Sequence, residues 1–201
     1  MRAVIALVWC LSGGALASEP MQAALAELQP SSLSRSAQQA ELQWFVDAAK
    51  PYQNVQIRVI AERIATHWYE ANVLAPLFSQ LTGIRVIHEI SGEDDVVNKL
   101  RAQQQTGLPL YDAYISDSDL LGQHFRDAQV LVLSDFMRGE GAAVTLPSLD
   151  LDDFIGLPFV TAPDGKLYQL PDQQFANLYW YRQDWFARPE LRKAFRERYG
   201  Y

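Results

Sequence analysis

The middle of the chain alternates between apolar runs of strand length and longer runs with helical spacing. "VQIRVIAE" carries apolar residues at alternate positions from Val55 and becomes continuously apolar at Ile60, which is typical of a strand entering a buried sheet. The next run, "WYEANVLAPLFSQLTG", has helical spacing and ends at Gly83, a residue type common at helix C-termini. Pro76 within that run predicts a kink or a later helix start.

The same alternation repeats twice more. "IRVIHEI" predicts a second strand, "SGEDDVVNKLRAQQQTG" a helix, "LYDAYIS" a short third strand, and "DSDLLGQHFRDAQ" a helix that begins at Asp117 or Ser118. The order β-α-β-α-β-α with short connections predicts an α/β fold, with a parallel sheet covered by helices on both faces. We assign this lobe to residues 55–165.

Other patterns flank the lobe. Residues 18–54 read as two amphipathic helices, with serines suited to capping ahead of "AELQWFVDAAK", and predict a helical appendage packed on the lobe. "VLVLSDFM" reads as a strand, "LDLDDFIG" as a capped helical turn, and the "PDG" of "FVTAPDGKLYQLP" as a turn joining 159–162 and 166–170 in a hairpin.

The first residues have the pattern of an export signal. Arg2 provides the positive start, an apolar stretch runs to Leu11, and Ala15-Leu16-Ala17 fits a cleavage site, so we expect residues 1–17 to be removed. Cys10 is the only cysteine and lies in this segment, so the mature chain would hold no thiol or disulfide. A periplasmic location follows.

Charge and motifs exclude several classes of function. The net charge of −7 disfavours nucleic acid as a partner. The sequence lacks a nucleophile elbow, a dinucleotide or phosphate loop, and His/Cys zinc spacings, so we expect no catalytic residue, metal or cofactor, and we assign His88 a structural role in its strand. "DSDLLG" starts like a calcium loop but has Leu121 at a ligand position.

The candidate binding groups lie at strand ends and in a ring-rich segment. Ligands of doubly wound sheets bind beyond the carboxyl ends of the strands, where this chain has "AERIATH", "SGEDD" and "SDSD". "KLYQLPDQQFANLYWYRQDWF" combines aromatic rings, which stack on sugar C–H faces, with amide and carboxylate groups that bind hydroxyls. We expect Phe175, Leu178 and Phe186 to pack in the core, and one of Tyr179 and Trp180 to face inward.

"TGIRV", "YDAYISDSD", "DGKLYQLP" and "NLYWYRQDWF", in this order, resemble the family 1 extracellular solute-binding proteins of ABC importers. "TLPSLDLDDFIG" and "LPDQQFANLYWYRQDWF" look like the branch associated with glycerol or sugar-alcohol uptake. The resemblance implies a periplasmic-binding-protein-like (type II) fold of two lobes, with the ligand in the cleft. Members are longer, so we expect residues 166–201 to form the crossover and the start of an incomplete second lobe.

The resemblance implies a non-enzymatic receptor, expected to be a monomer, that captures a small polyhydroxy solute and presents it to permease subunits in the inner membrane. Carried onto matching positions, it places ligand contacts on three segments. The predicted contacts are Glu62, Thr66, His67, Asp117, Ser118, Asp119, Asp172, Gln173, Gln174 and Tyr179.

Two alternatives remain open at this point. Asp117 and Asp119, together with acidic residues of 150–153, could supply the paired carboxylates of a secreted glycoside hydrolase. An acidic turn at 150–153 is more often a helix cap in solvent. The aromatic residues could also be the core of a structural or interaction module.

Overall fold

A computed structural model describes residues 18–117, 120–173 and 178–201 of the chain, without the side chain of residue 124. The predicted signal segment and Ser118, Asp119 and Gln174 lie outside these residues. Helices and strands alternate through the first half and short helices dominate the second. In chain order the elements are α1 (Glu19–Glu27), α2 (Arg35–Ala48), β1 (Gln56–Glu62), α3 (Ala65–Tyr69), α4 (Ala75–Thr82), β2 (Arg85–Ser91), α5 (Glu93–Thr106), β3 (Ala113–Tyr114), α6 (Leu121–Asp127), α7 (Leu133–Arg138), α8 (Gln183–Phe186) and α9 (Pro189–Tyr199).

The sheet of the described chain has three strands in the order β2-β1-β3, and both pairings are parallel. β1 pairs with β2 along its whole length, from Gln56 opposite Arg85 to Glu62 opposite Ser91. Its pairing with β3 is short, and a hydrogen bond from the Ile115 amide to the Ile60 carbonyl extends it by one step. The α/β class and the parallel sheet flanked by helices are confirmed.

The two faces of the sheet carry different helices. Ile60 is fully buried against Val96 and Leu100 of α5. Because side chains alternate along a strand, Val59 points to the other face, and so does His88, its partner in register on β2. There α4 packs against β2, and α1 and α2 pack on α4.

The first crossover contains an irregular turn. Residues 70–74 form a π-helical turn between α3 and α4, and α4 begins with Pro76 in its first turn, in agreement with the later start that Pro76 predicts. Gly83 ends α4 in the left-handed conformation, with φ of 74°. The wide turn rotates Glu70 toward the sheet, where it lies near His88.

One prediction for the second half is wrong and another holds only in part. "VLVLSDFM" contains α7 rather than a strand, because Asp135 pairs with Arg138 at 2.8 Å on one helix face and with Lys166 at 2.6 Å. The hairpin is reduced to one antiparallel bridge, Thr161 with Leu167, since residues 157–160 form a 3₁₀ turn. The "PDG" turn is present.

Residues 178–201 are exposed throughout. Leu178 and Phe186 are therefore not core residues, and neither Tyr179 nor Trp180 faces inward, at 87% and 85% exposure. The physical reason is that α8 and α9 pack mainly on each other, which leaves every residue of 178–201 exposed. Phe175 lies outside the described residues. No helix in the described ranges has the length and apolarity required to cross a bilayer.

Candidate functional site

The site is built on His67, which follows the carboxyl end of β1. Its imidazole turns back toward the strand, and Nδ1 lies 2.9 Å from the carbonyl oxygen of Glu62. A carbonyl only accepts hydrogen bonds, so Nδ1 carries the proton of this pair. In the neutral ring Nε2 is then the unprotonated nitrogen, and it points away from the strand. The side chain is only 1% exposed, which fixes this orientation.

A remote segment meets His67 at Nε2. Asp172 Oδ2 lies 3.5 Å from His67 Nε2, and Gln173 Nε2 lies at the same distance. The histidine and the glutamine are 106 positions apart, so the contact joins the first strand loop to the region after the "PDG" turn. Asp172 is 34% exposed, which leaves its carboxylate open to solvent on one side.

Glu70 adds a second carboxylate, which is more buried than that of Asp172. One donor atom from each of His67, Glu70 and Asp172 lies within 4.8 Å of the others. The Glu70 side chain is 15% exposed, and its Oε2 lies 3.9 Å from Nε2 of His88.

Glu70 and His88 both have pKa values shifted in the direction that favours the neutral form. Burial, followed by the nearby Asp172 carboxylate, raises the pKa of Glu70 to about 7. Burial also lowers the pKa of His88, with a smaller effect from His67. His88 Nδ1 is buried without a hydrogen-bond partner among the described atoms. A neutral imidazole is the form that tolerates such burial.

His67, Glu70 and Asp172 lie near the part of the sheet where ligands of open α/β folds usually bind. β1 is central, and the chain first adds β2 on one side and then β3 on the other, so the direction of winding reverses between β1 and β3. Crevices at such reversals, beyond the carboxyl ends of the strands, are the usual ligand sites of open α/β sheets. Glu62 ends β1 and Asp117 follows β3, so both lie at this edge.

The predicted contacts are only partly assembled. The structure brings together Glu62, through its carbonyl, with His67, Asp172 and Gln173. Thr66 and Asp117 are exposed near the same edge, and Tyr179 lies in the exposed segment, stacked on Tyr181 with ring centres 6.4 Å apart.

Glu70 is not among the contacts predicted from the sequence, and His88 was expected to have only a structural role. The signal for Glu70 is its spacing: His67 and Glu70 are three positions apart in a helical run, and such residues share a face. His88 is placed by strand register, on the face that α4 covers.

Other polar features lie elsewhere. The acidic turn at 150–153 caps itself, because Asp150 Oδ1 accepts from the Asp152 amide at 3.0 Å. An open depression between α5 and α6 is lined by Arg101, Gln104, Gln123 and their neighbours. None of the predicted contacts lines it.

Comparison with known proteins gives one informative similarity. No protein-family model matches the sequence, and no curated protein does. Among solved structures, the chain resembles an ABC transporter solute-binding protein from Agrobacterium radiobacter K84 in complex with ribitol, with a TM-score of 0.53 and 22% identity. The match covers 61% of this chain and 30% of the other, so the matched region spans less than a third of that protein. The fold therefore matches part of a periplasmic binding protein.

Proposed function

We propose that the chain belongs to the substrate-binding component of an ABC transporter, which captures a small polyhydroxy solute such as a sugar, glycerol or sugar alcohol. The observation that carries this proposal is the return of residues 171–173 to the loop after β1, which creates a polar site at the sheet edge. The fold similarity to a ribitol-bound solute-binding protein supports it.

The side chains at this edge have the chemistry that a polyol requires. A carboxylate such as Asp172 accepts hydrogen bonds from hydroxyl groups, and the Gln173 amide both donates and accepts. Partial exposure of Asp172 gives a solute access to the carboxylate. Thr66 and Asp117, exposed near the same edge, complete the proposed polar lining.

The ring-rich segment supplies the second part of the proposed site. Tyr179, Trp180 and Tyr181 present broad aromatic surface to solvent. Surface of this size is typical of binding regions, and rings of this kind stack on the C–H faces of polyols. In the proposal this segment closes over the solute, and binding shifts an equilibrium between open and closed forms.

The proposed setting is the periplasm, with residues 1–17 as the export signal and a membrane permease as the receiving partner. No enzymatic step is proposed. In the turn at 150–153, the Asp150 carboxylate accepts a hydrogen bond from the Asp152 amide, which gives that carboxylate a structural role.

The test is calorimetric titration of the full chain with ribitol, glycerol and a panel of sugars. Gln173→Ala and Asp172→Asn remove one proposed contact each. Gln39→Ala and Asp153→Asn are matched controls, because both residues are exposed and lie outside the site. We expect saturable binding of at least one polyol. Asp172→Asn should weaken it about tenfold or more, since a hydrogen bond to a charged group is worth about 1.5–3 kcal/mol, and Gln173→Ala about two- to tenfold, since a neutral one is worth about 0.5–1.5 kcal/mol.

A bound polyol should also stabilise the fold. At a concentration of 100 times Kd the gain is about 2.7 kcal/mol, which a thermal-shift assay detects. If no polyol or sugar binds, or if the site and control variants bind alike, the proposal is wrong. Turnover of a chromogenic glycoside that is lost in Asp117→Asn would instead establish the hydrolase.

A further inference from the structure

His67, Glu70 and Asp172 form a cluster of three possible metal ligands. The Nε2 side of the His67 imidazole, opposite the nitrogen that donates to the Glu62 carbonyl, faces the carboxyl groups of Glu70 and Asp172. Among the described residues, neither carboxylate pairs with a lysine or arginine, and their ion-pair partners are the two histidines. Buried or half-buried carboxylates ordinarily pair with a cation or keep a proton.

The distance between the His67 imidazole and the Asp172 carboxylate is that of two ligands of one ion. A charge-assisted hydrogen bond between nitrogen and a carboxylate oxygen spans about 2.7–2.9 Å. His67 Nε2 and Asp172 Oδ2 are 3.5 Å apart. Two ligands bound at about 2.0–2.1 Å in tetrahedral geometry would be separated by roughly 3.4 Å. The observed spacing therefore fits two ligands of one metal better than a direct hydrogen bond.

The residues that surround His67 and Glu70 also support a metal site. Metal-binding histidines usually donate their second ring N–H to a carbonyl or carboxylate, which fixes the tautomer and orients the ring. His67 does this through Nδ1 to the Glu62 carbonyl, and it is 1% exposed. His88, 9% exposed, has its Nε2 3.9 Å from Oε2 of Glu70.

We propose that His67, Glu70 and Asp172 form a binding site for a divalent transition metal, with Zn²⁺ as the preferred ion and water in the fourth position. One imidazole and two carboxylates are a ligand set that zinc accepts. The ion would fasten residues 171–173 to the first crossover and neutralise the two carboxylates.

This site goes beyond solute capture and is tested without any solute. The full chain, free of any histidine tag and treated with EDTA, is titrated with Zn²⁺, and the metal retained after dialysis is measured. We expect one ion per chain, a higher melting temperature, and four-coordinate visible bands when Co²⁺ replaces Zn²⁺. Binding should weaken about tenfold or more in Asp172→Asn and in Glu70→Gln.

Asp153→Asn, a change of the same type at an exposed position, should bind zinc like the wild type. Circular dichroism checks that each variant is folded, and Asp172→Asn is the safer variant because its side chain is partly in solvent. Loss of binding in both site variants supports the proposal. If the wild type retains no metal, or if the site variants retain as much as the wild type, the proposed metal site is wrong. Polyol titration in EDTA is independent of this outcome, so each proposal can fail separately.

Discussion

Truncation of Ile60 tests whether β1 is the buried strand on which the site depends. The residue is 0% exposed and faces Val96 and Leu100 of α5. Ile60→Ala removes three carbon atoms, and at about 0.8 kcal/mol for each the transfer loss is about 2.4 kcal/mol. A residual cavity of roughly 40 Å³ would add about 1 kcal/mol at 24 cal/mol per Å³. We therefore expect a loss of about 2.5–3.5 kcal/mol.

A graded series makes the result specific. Ile60→Val removes one carbon and should cost about 1 kcal/mol. Ile155→Ala deletes the same atoms as Ile60→Ala from a side chain that is 69% exposed, and should change stability by less than about 0.5 kcal/mol. Urea denaturation gives each value, provided the slope of the transition is unchanged. A loss below about 1 kcal/mol in Ile60→Ala would show that α5 does not bury β1, and the placement of Glu62 and His67 would lose its basis.

Two further predictions concern the sheet and its edges. Gly83→Ala should destabilise the chain more than Gly107→Ala in thermal denaturation. Both glycines have positive φ, but only at Gly83 would the added Cβ collide with a neighbour, the Gln53 side chain. Equal losses of stability in the two variants would contradict this. The hydrogen bond from Lys99 holds the pKa of Glu89 below its ordinary value, so the contribution of Glu89 to stability is present above pH 4.5 and is lost as the pH falls below it. Glu89→Gln should flatten that acid-side decline in urea titrations, and an unchanged decline would show that other groups cause it.

The order of strands and helices could be predicted because each element has a clear period. β1 and β2 are short apolar runs. The helix that precedes β2 and the helix that follows it, α4 and α5, repeat at three and four positions and end at glycines in the left-handed conformation. Short connections then leave few topologies besides a parallel sheet. Strand order, which places the reversal beside β1, is a tertiary property and required the structure.

The failures have a different origin. α7 occupies a run of strand-like residues because its polar positions find partners far along the chain: the Ser134 hydroxyl accepts from the Leu167 amide at 3.2 Å, and Lys166 pairs with Asp135. Periodicity within one run contains no information about such partners. The same limit applies to the ring-rich segment, where the sequence shows an apolar composition but not the surface that would cover it.

The candidate site has two parts, the loop after β1 with His67 and a segment far along the chain with Asp172 and Gln173. This difference predicts how the site opens. The orientation of His67 is set by a hydrogen bond five residues away, within one strand and its following helix, so the loop after β1 is formed whenever the sheet is formed. Asp172 and Gln173 arrive across more than a hundred residues and contact His67 only at 3.5 Å, a weak interaction without a bound ligand. Opening of the site should therefore begin by separation of residues 171–173 from a loop that keeps its shape. A solute or an ion that bridges the two halves would gain most of its effect by holding that one segment in place.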